Sequence, residues 1–144
     1  MPEAVAHTKS TIMPSFRYHD ARAAIEWFQK VFGFERHAVY ETPDGLIAHA
    51  ELTLSGGMIM LGSQRDDEHG KRFKSPNELG GVETRSSYIV VPDADAAYAR
   101  AQAAGATVIR PIQNTDYGSR EFAVLDPEGH SWSCGTYDPW QPQG

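Results

Sequence analysis

Shifting the chain by 73 positions lays Asp20 on Asp93 and Gly45 on Gly118. The same shift lays Ala21, Ala23 and Ala24 on Ala94, Ala96 and Ala97, and Gln29 on Gln102; Gly33 meets Gly105 at a shift of 72. Any two βαβ segments share caps and turns. Matched order and spacing over about 50 residues instead point to one unit present twice.

Within the first unit, residues 11–18 read as a strand, and Asp20 is a helix N-cap with Gly33 as the stop. Between them Ala21, Ala24, Ile25, Phe28 and Phe32 form one apolar helical face. Strands follow at 34–41, 46–54 and 58–61, with Pro43-Asp44-Gly45 as a turn. The second unit repeats the plan. It has a strand at 86–91, a helix capped by Asp93 and ended by Ala104-Gly105-Ala106, and strands at 107–113, 119–125 and 130–136. The chain divides as a polar leader (1–10), a first βαβββ module (11–62), a polar linker or loop (63–84), a second βαβββ module (85–137) and a tail (138–144). Four short strands under one helix bury little alone. The expected fold is therefore α+β, one domain overall, with two tandem βαβββ modules forming a concave mixed sheet and helices on the outer face. A trough of alternating strand residues is a natural ligand site.

Charge narrows the partners. The net charge is −6, against nucleic-acid binding and compatible with a cationic small molecule. No apolar run is long enough for a bilayer, and the start has no apolar signal core, so no membrane association is expected. The single cysteine, Cys134, reads as a small buried hydrophobe and fits a reducing cytoplasm. Phosphate-loop, dinucleotide and nucleophile-elbow motifs are absent from the sequence.

The layout from Phe16-Arg17-Tyr18-His19-Asp20-Ala21 to Val31-Phe32-Gly33-Phe34, with the ending Leu125-Asp126-Pro127-Glu128-Gly129-His130-Ser131-Trp132, resembles the vicinal oxygen chelate superfamily. That superfamily includes glyoxalase I, bleomycin-resistance proteins, extradiol dioxygenases and fosfomycin-resistance enzymes. The resemblance spans about residues 11–137, and one fold hosts many chemistries. It implies metal-ligand slots on the first and fourth strands of each module, which fall here at Met13, Met60, Ser87 and Ser133. None is an imidazole or carboxylate, and a thioether is a poor ligand for Zn²⁺, Mn²⁺ or Fe²⁺. No metal or other cofactor is therefore expected. Met58 and Met60 share a strand face and suit an adaptable apolar pocket or plain core packing.

Other residues carry further possibilities. Arg17 shares a face with Met13 and Ser15; it suits a bidentate grip on a ligand carboxylate or phosphate, or a salt bridge to Glu51 or Glu121. Tyr117 and Arg120 flank the turn into the seventh strand and could rim the cavity. The expected ligand-binding set is thus Met13, Arg17, Met58, Met60, Ser87, Tyr117, Arg120 and Ser133. A displaced metal site at His49, Glu51 and His130 is the alternative, because His49 and Glu51 lie on one strand face. The resemblance then implies a cytoplasmic homodimer of the bleomycin-resistance kind, binding a small organic ligand. A metal-dependent lyase, isomerase or dioxygenase is the alternative, and an accessory domain signalling through the 63–84 loop is a third reading.

Overall fold

The structure, a computed structural model, describes residues 9–141. The chain runs β1 (Ser15–Tyr18), α1 (Ala21–Phe32), β2 (Glu35–Glu41), β3 (Ile47–Leu54) and β4 (Gly57–Ser63), then two 3₁₀ turns at Gly70–Arg72 and Pro76–Leu79. After these come β5 (Ser87–Val90), α2 (Ala94–Ala103), β6 (Thr107–Asn114), β7 (Arg120–Leu125) and β8 (Ser131–Gly135). Each half makes its own four-stranded mixed sheet, ordered β1-β4-β3-β2 in one and β5-β8-β7-β6 in the other. The outer pairs β1–β4 and β5–β8 are parallel, and the rest are antiparallel. This is the expected α+β, βαβββ-duplicated fold.

The strand registers carry the 73-residue repeat. Ser15 pairs with Met60 and Arg17 with Gly62; Tyr88 pairs with Ser133 and Val90 with Gly135. Each residue of the second set lies 73 positions after its counterpart in the first.

Both helices start where their caps dictate. The Asp20 carboxylate accepts from the Ala23 amide at 3.0 Å, and Asp93 accepts from Ala96 at 3.0 Å. Gly33 closes α1 with φ 81°, a left-handed turn that a side chain resists. The first strand begins four residues later than residues 11–18 suggest, at Ser15, just after Pro14, which has no N–H to give a ladder.

In the first unit α1 lays Ala21, Ala24, Ile25 and Phe28 against Phe16, Tyr18, Ala50, Leu52, Ile59 and Leu61, all buried. Phe28 is fully buried and meets Tyr18 and Phe34 edge-on, with centroids 6.3 and 5.3 Å away. Burying such a side chain contributes about 1.5–3 kcal/mol. In the second unit α2 lies over β6 and β7, with Tyr98 5.1 Å from Phe122. Ile89, Phe122, Val124, Trp132 and Cys134 fill that core.

The 63–84 segment folds locally. Gln64 Nε2 donates to the Gly70 carbonyl at 2.8 Å, and the Gly70 amide donates to Asp67 Oδ1 at 2.7 Å. Further on, the Asn77 amide donates to the Glu128 carbonyl, and Glu83 accepts from the Ser131 amide at 2.9 Å. No described helix is long and apolar enough to cross a membrane.

Candidate functional site

Each sheet has one face covered by its helix and one open face. Strand alternation assigns the residues. On the first sheet Phe16, Leu52, Ile59 and Leu61 are covered. The open face therefore carries Ser15 and Arg17 of β1, His49, Glu51 and Thr53 of β3, and Met58, Met60 and Gly62 of β4. Ser15, Met60 and Glu51 form one row across three strands, because Met60 pairs with both neighbours. Met58 and Met60 are half-buried there, so they line the face and leave the core to Ile59 and Leu61. Met13 precedes β1 and is 36% exposed.

Arg17 lies across Gly62: a Cβ on that glycine would come 3.4 Å from Arg17 Nη1 and 3.0 Å from the Ala48 carbonyl oxygen. Its Nη1 donates to the Ser63 carbonyl at 3.5 Å, and its Cζ sits 5.5 Å from the centre of the Phe73 ring. Arg17 is thus held by an aromatic face and a long carbonyl contact. The carboxylates considered as its partners are engaged elsewhere: Glu51 with His49 and His37, Glu121 with Tyr117 and Arg110.

His49 and Glu51 do meet. His49 Nε2 lies 2.9 Å from Glu51 Oε2, and the His37 Nε2 lies 3.9 Å from Oε1. Tyr40 stacks on His49 at 6.2 Å. Among the described residues no group of three His, Cys, Asp or Glu is placed to hold a metal ion. His130, the third member of the displaced set, sits in the 126–130 turn of the second unit. Its amide donates to Asp126 Oδ1 at 3.1 Å, and burial pushes its imidazole below the ordinary range, with Asp126 opposing.

The second sheet requires two corrections. Ser87 was expected on the lining face. The register pairs it with Trp132 and puts it on the same side as Ile89, so it belongs to the covered face, and Tyr88 takes the open position beside Ser133. The slot was set one residue early, and in a strand one residue changes the face. Arg120 was expected at the cavity rim. It lies on the Phe122 side and clamps α2: Nε reaches Asp95 Oδ1 and Oδ2 at 3.0 and 3.1 Å, and Nη1 donates to Asn114 Oδ1 at 3.0 Å. Tyr117 does reach the open face, where its hydroxyl donates to Glu121 Oε1 at 2.9 Å. That hydrogen bond holds the Tyr117 phenol above its usual range.

Cys134 is fully buried, and desolvation pushes its thiol up to about 12, far from the thiolate a metal or a nucleophile requires. Asp126 organises the turn before β8. It accepts from the amides of Glu128 and His130 and, at 3.1 Å, from Trp132 Nε1.

Sequence reasoning considered Glu121 only as a salt-bridge partner for Arg17, and it passed over Tyr88. Glu121 is a carboxylate in the otherwise apolar run Phe122-Ala123-Val124, and its side chain is 6% exposed. The visible signal was Gly135, the 73-residue counterpart of Gly62: in each sheet a glycine on the open face makes room for a neighbour's side chain.

Comparison with known proteins gives the following matches. Residues 5–134 match the model of the Glyoxalase/Bleomycin resistance protein/Dioxygenase superfamily. The uncharacterized protein Mb0911c of Mycobacterium bovis is 33% identical over 129 residues, covering 90% of this chain and 84% of that protein. The crystal structure of TioX from Micromonospora sp. ML1 superposes with a TM-score of 0.68 at 30% identity, over 88% of this chain and 97% of TioX. A glyoxalase I variant from Zea mays shares the fold at a TM-score of 0.67 and 15% identity, over 85% of this chain and 43% of that one.

Proposed function

Because the chain belongs to the Glyoxalase/Bleomycin resistance protein/Dioxygenase superfamily, we propose that it binds and sequesters a small organic molecule, as the bleomycin-resistance branch does, without a tightly held metal. The observation that carries this reading is the pair Ser15–Met60 on the parallel strands β1 and β4, with Tyr88–Ser133 as its counterpart in the other sheet. The parallel strands that hold metal ligands elsewhere in the superfamily offer here a thioether, hydroxyls and a phenol. This donor set does not fit a divalent cation. It does fit an adaptable pocket wall: Met58 and Met60 repack around varied shapes, and the hydroxyls fix orientation. Met58, Met60, Arg17, Ser133 and Tyr117 are the ligand-binding residues of this reading, with Tyr88 replacing Ser87. The protein acts as a cytoplasmic homodimer in this proposal.

A second reading keeps the displaced site of His49, Glu51 and His130 and starts from the 2.9 Å contact between His49 and Glu51. It is a metal-dependent lyase, isomerase or dioxygenase that would need a third ligand brought to His49 and Glu51. Elemental analysis of protein purified without chelator, paired with native mass spectrometry, separates the two. Sequestration expects less than about 0.1 metal per chain and a retained organic compound. One tightly held metal per chain, lost on His49→Ala, overturns it in favour of the enzyme.

A further inference from the structure

Glu121 occupies an unusual position for a carboxylate. Its side chain is 6% exposed and lies on the open face of β7. Burying a carboxylate costs several kcal/mol unless charge and hydrogen bonds compensate. Here the compensation is one-sided. The Tyr117 hydroxyl donates to Oε1 at 2.9 Å, and Arg110 Nη2 reaches the same oxygen at 3.4 Å. Oε2 accepts no hydrogen bond among the described residues. The Arg110 contact is long beside the 2.7–2.9 Å usual for a charge-assisted bond. Arg110 Nε, moreover, is buried with no hydrogen-bond partner among the described residues, so this guanidinium is not seated as a two-pronged fork.

The surroundings are aromatic. Glu121 pairs with Gly135, and a Cβ there would come 2.5 Å from Glu121 Cγ and 2.8 Å from the Tyr88 hydroxyl oxygen. Glu121 and Tyr88 therefore approach each other over a residue with no side chain. The Tyr88 hydroxyl donates to the Tyr137 carbonyl at 2.7 Å, and the Tyr137 ring meets that of Tyr117 edge-on at 6.0 Å. Tyr117 thus bonds the Glu121 carboxylate, Tyr88 approaches it over Gly135, and Tyr137 touches both tyrosines.

We propose that this recess takes the protonated amine of a small organic cation, whose ammonium N–H donates to Glu121 Oε2 beside the tyrosine rings. The proposal rests on the small-molecule reading above and names the chemical class of the ligand. A charged donor supplies what Oε2 lacks, and aromatic faces attract cations that neutral isosteres do not replace. The net charge of −6 favours the approach of a cation as well.

The test titrates 2-phenylethylammonium and its neutral isostere 2-phenylethanol into the full chain, followed by NMR shifts. The expected result is at least about tenfold tighter binding of the ammonium at pH 7, abolished in Glu121→Gln. Equal binding of the two probes overturns the proposal, as does a preference that survives in folded Glu121→Gln. If Glu121→Gln does not fold, ammonium-induced shifts in the unaltered chain that leave the amides of Glu121, Tyr88 and Gly135 unmoved overturn it. Binding of neither probe at millimolar concentration also overturns the ammonium assignment. The small-molecule reading itself stands or falls separately, on whether the purified chain retains any organic compound by native mass spectrometry.

Discussion

The indole Nε1 of Trp132 donates to Oδ2 of Asp126 at 3.1 Å in the interior of the second unit, where both residues are buried. The other oxygen of Asp126 takes the amides of Glu128 and His130 at 3.0 and 3.1 Å. One carboxylate therefore satisfies three donors and fixes the entry into β8. Asp126→Ala leaves all three to find other partners and should destabilise the fold by about 2–4 kcal/mol. Urea denaturation monitored by Trp fluorescence measures this, and a loss under about 0.5 kcal/mol contradicts the role assigned to the turn.

Cys134 should be chemically silent in the folded chain. With its thiol pushed up to about 12 by burial, the thiolate is scarce at pH 8. A thiol reagent such as dithionitrobenzoate should label it only after denaturation. Stoichiometric labelling of native protein within minutes would show that β8 opens or that the thiol is not buried.

The pH dependence of stability should carry a contribution from His130. Burial lowers its folded pKa, so between the folded and unfolded values the unfolded chain binds more protons. Stability then rises with pH: the contribution is complete above the unfolded value of about 6.5 and is lost as pH falls through the folded one. The slope from one histidine cannot exceed about 1.4 kcal/mol per pH unit. Denaturation midpoints of the chain and of His130→Gln should run parallel above about pH 7 and separate as pH falls towards 5, the chain losing stability that the variant keeps. Curves that stay parallel down to about pH 5 would refute this sign.

Placing a carboxylate on the first sheet's open face should not be enough to capture a metal. Met60→Glu supplies one donor, while its partner on β1 remains Ser15 and the corresponding pair in the second sheet is Tyr88 and Ser133. Calorimetric titration of this variant with Mn²⁺ or Zn²⁺ should show no micromolar binding. A Kd in that range would mean that His49 and Glu51 supply more than the donor chemistry of β1 and β4 suggests.

The sequence made much of the scaffold legible, for identifiable reasons. Asp20, Asp93 and Gly33 act within a turn of the backbone they cap, so local chemistry suffices to place both helices. The 73-residue repeat extends to strand pairing because duplicated units inherit duplicated registers. Ser87 was misplaced because a strand's facing has a period of two and a single slip reverses it, and Arg120 because its guanidinium turns to Asp95 of α2. Glu121 stayed hidden because what defines it is not local. Tyr117, Arg110 and Gly135 come from different parts of the chain and converge only through cross-strand pairing.

Gly62 and Gly135 hold the same bare spot in two copies of one design, yet one is overlain by a guanidinium and the other by a carboxylate and a phenol. A backbone that leaves such a gap does not dictate what fills it. Each copy was thus free to acquire its own polarity by substitutions on adjacent strands, with no change in strand order or pairing. Recognition chemistry in this chain can diverge between its halves while the scaffold that carries it stays fixed.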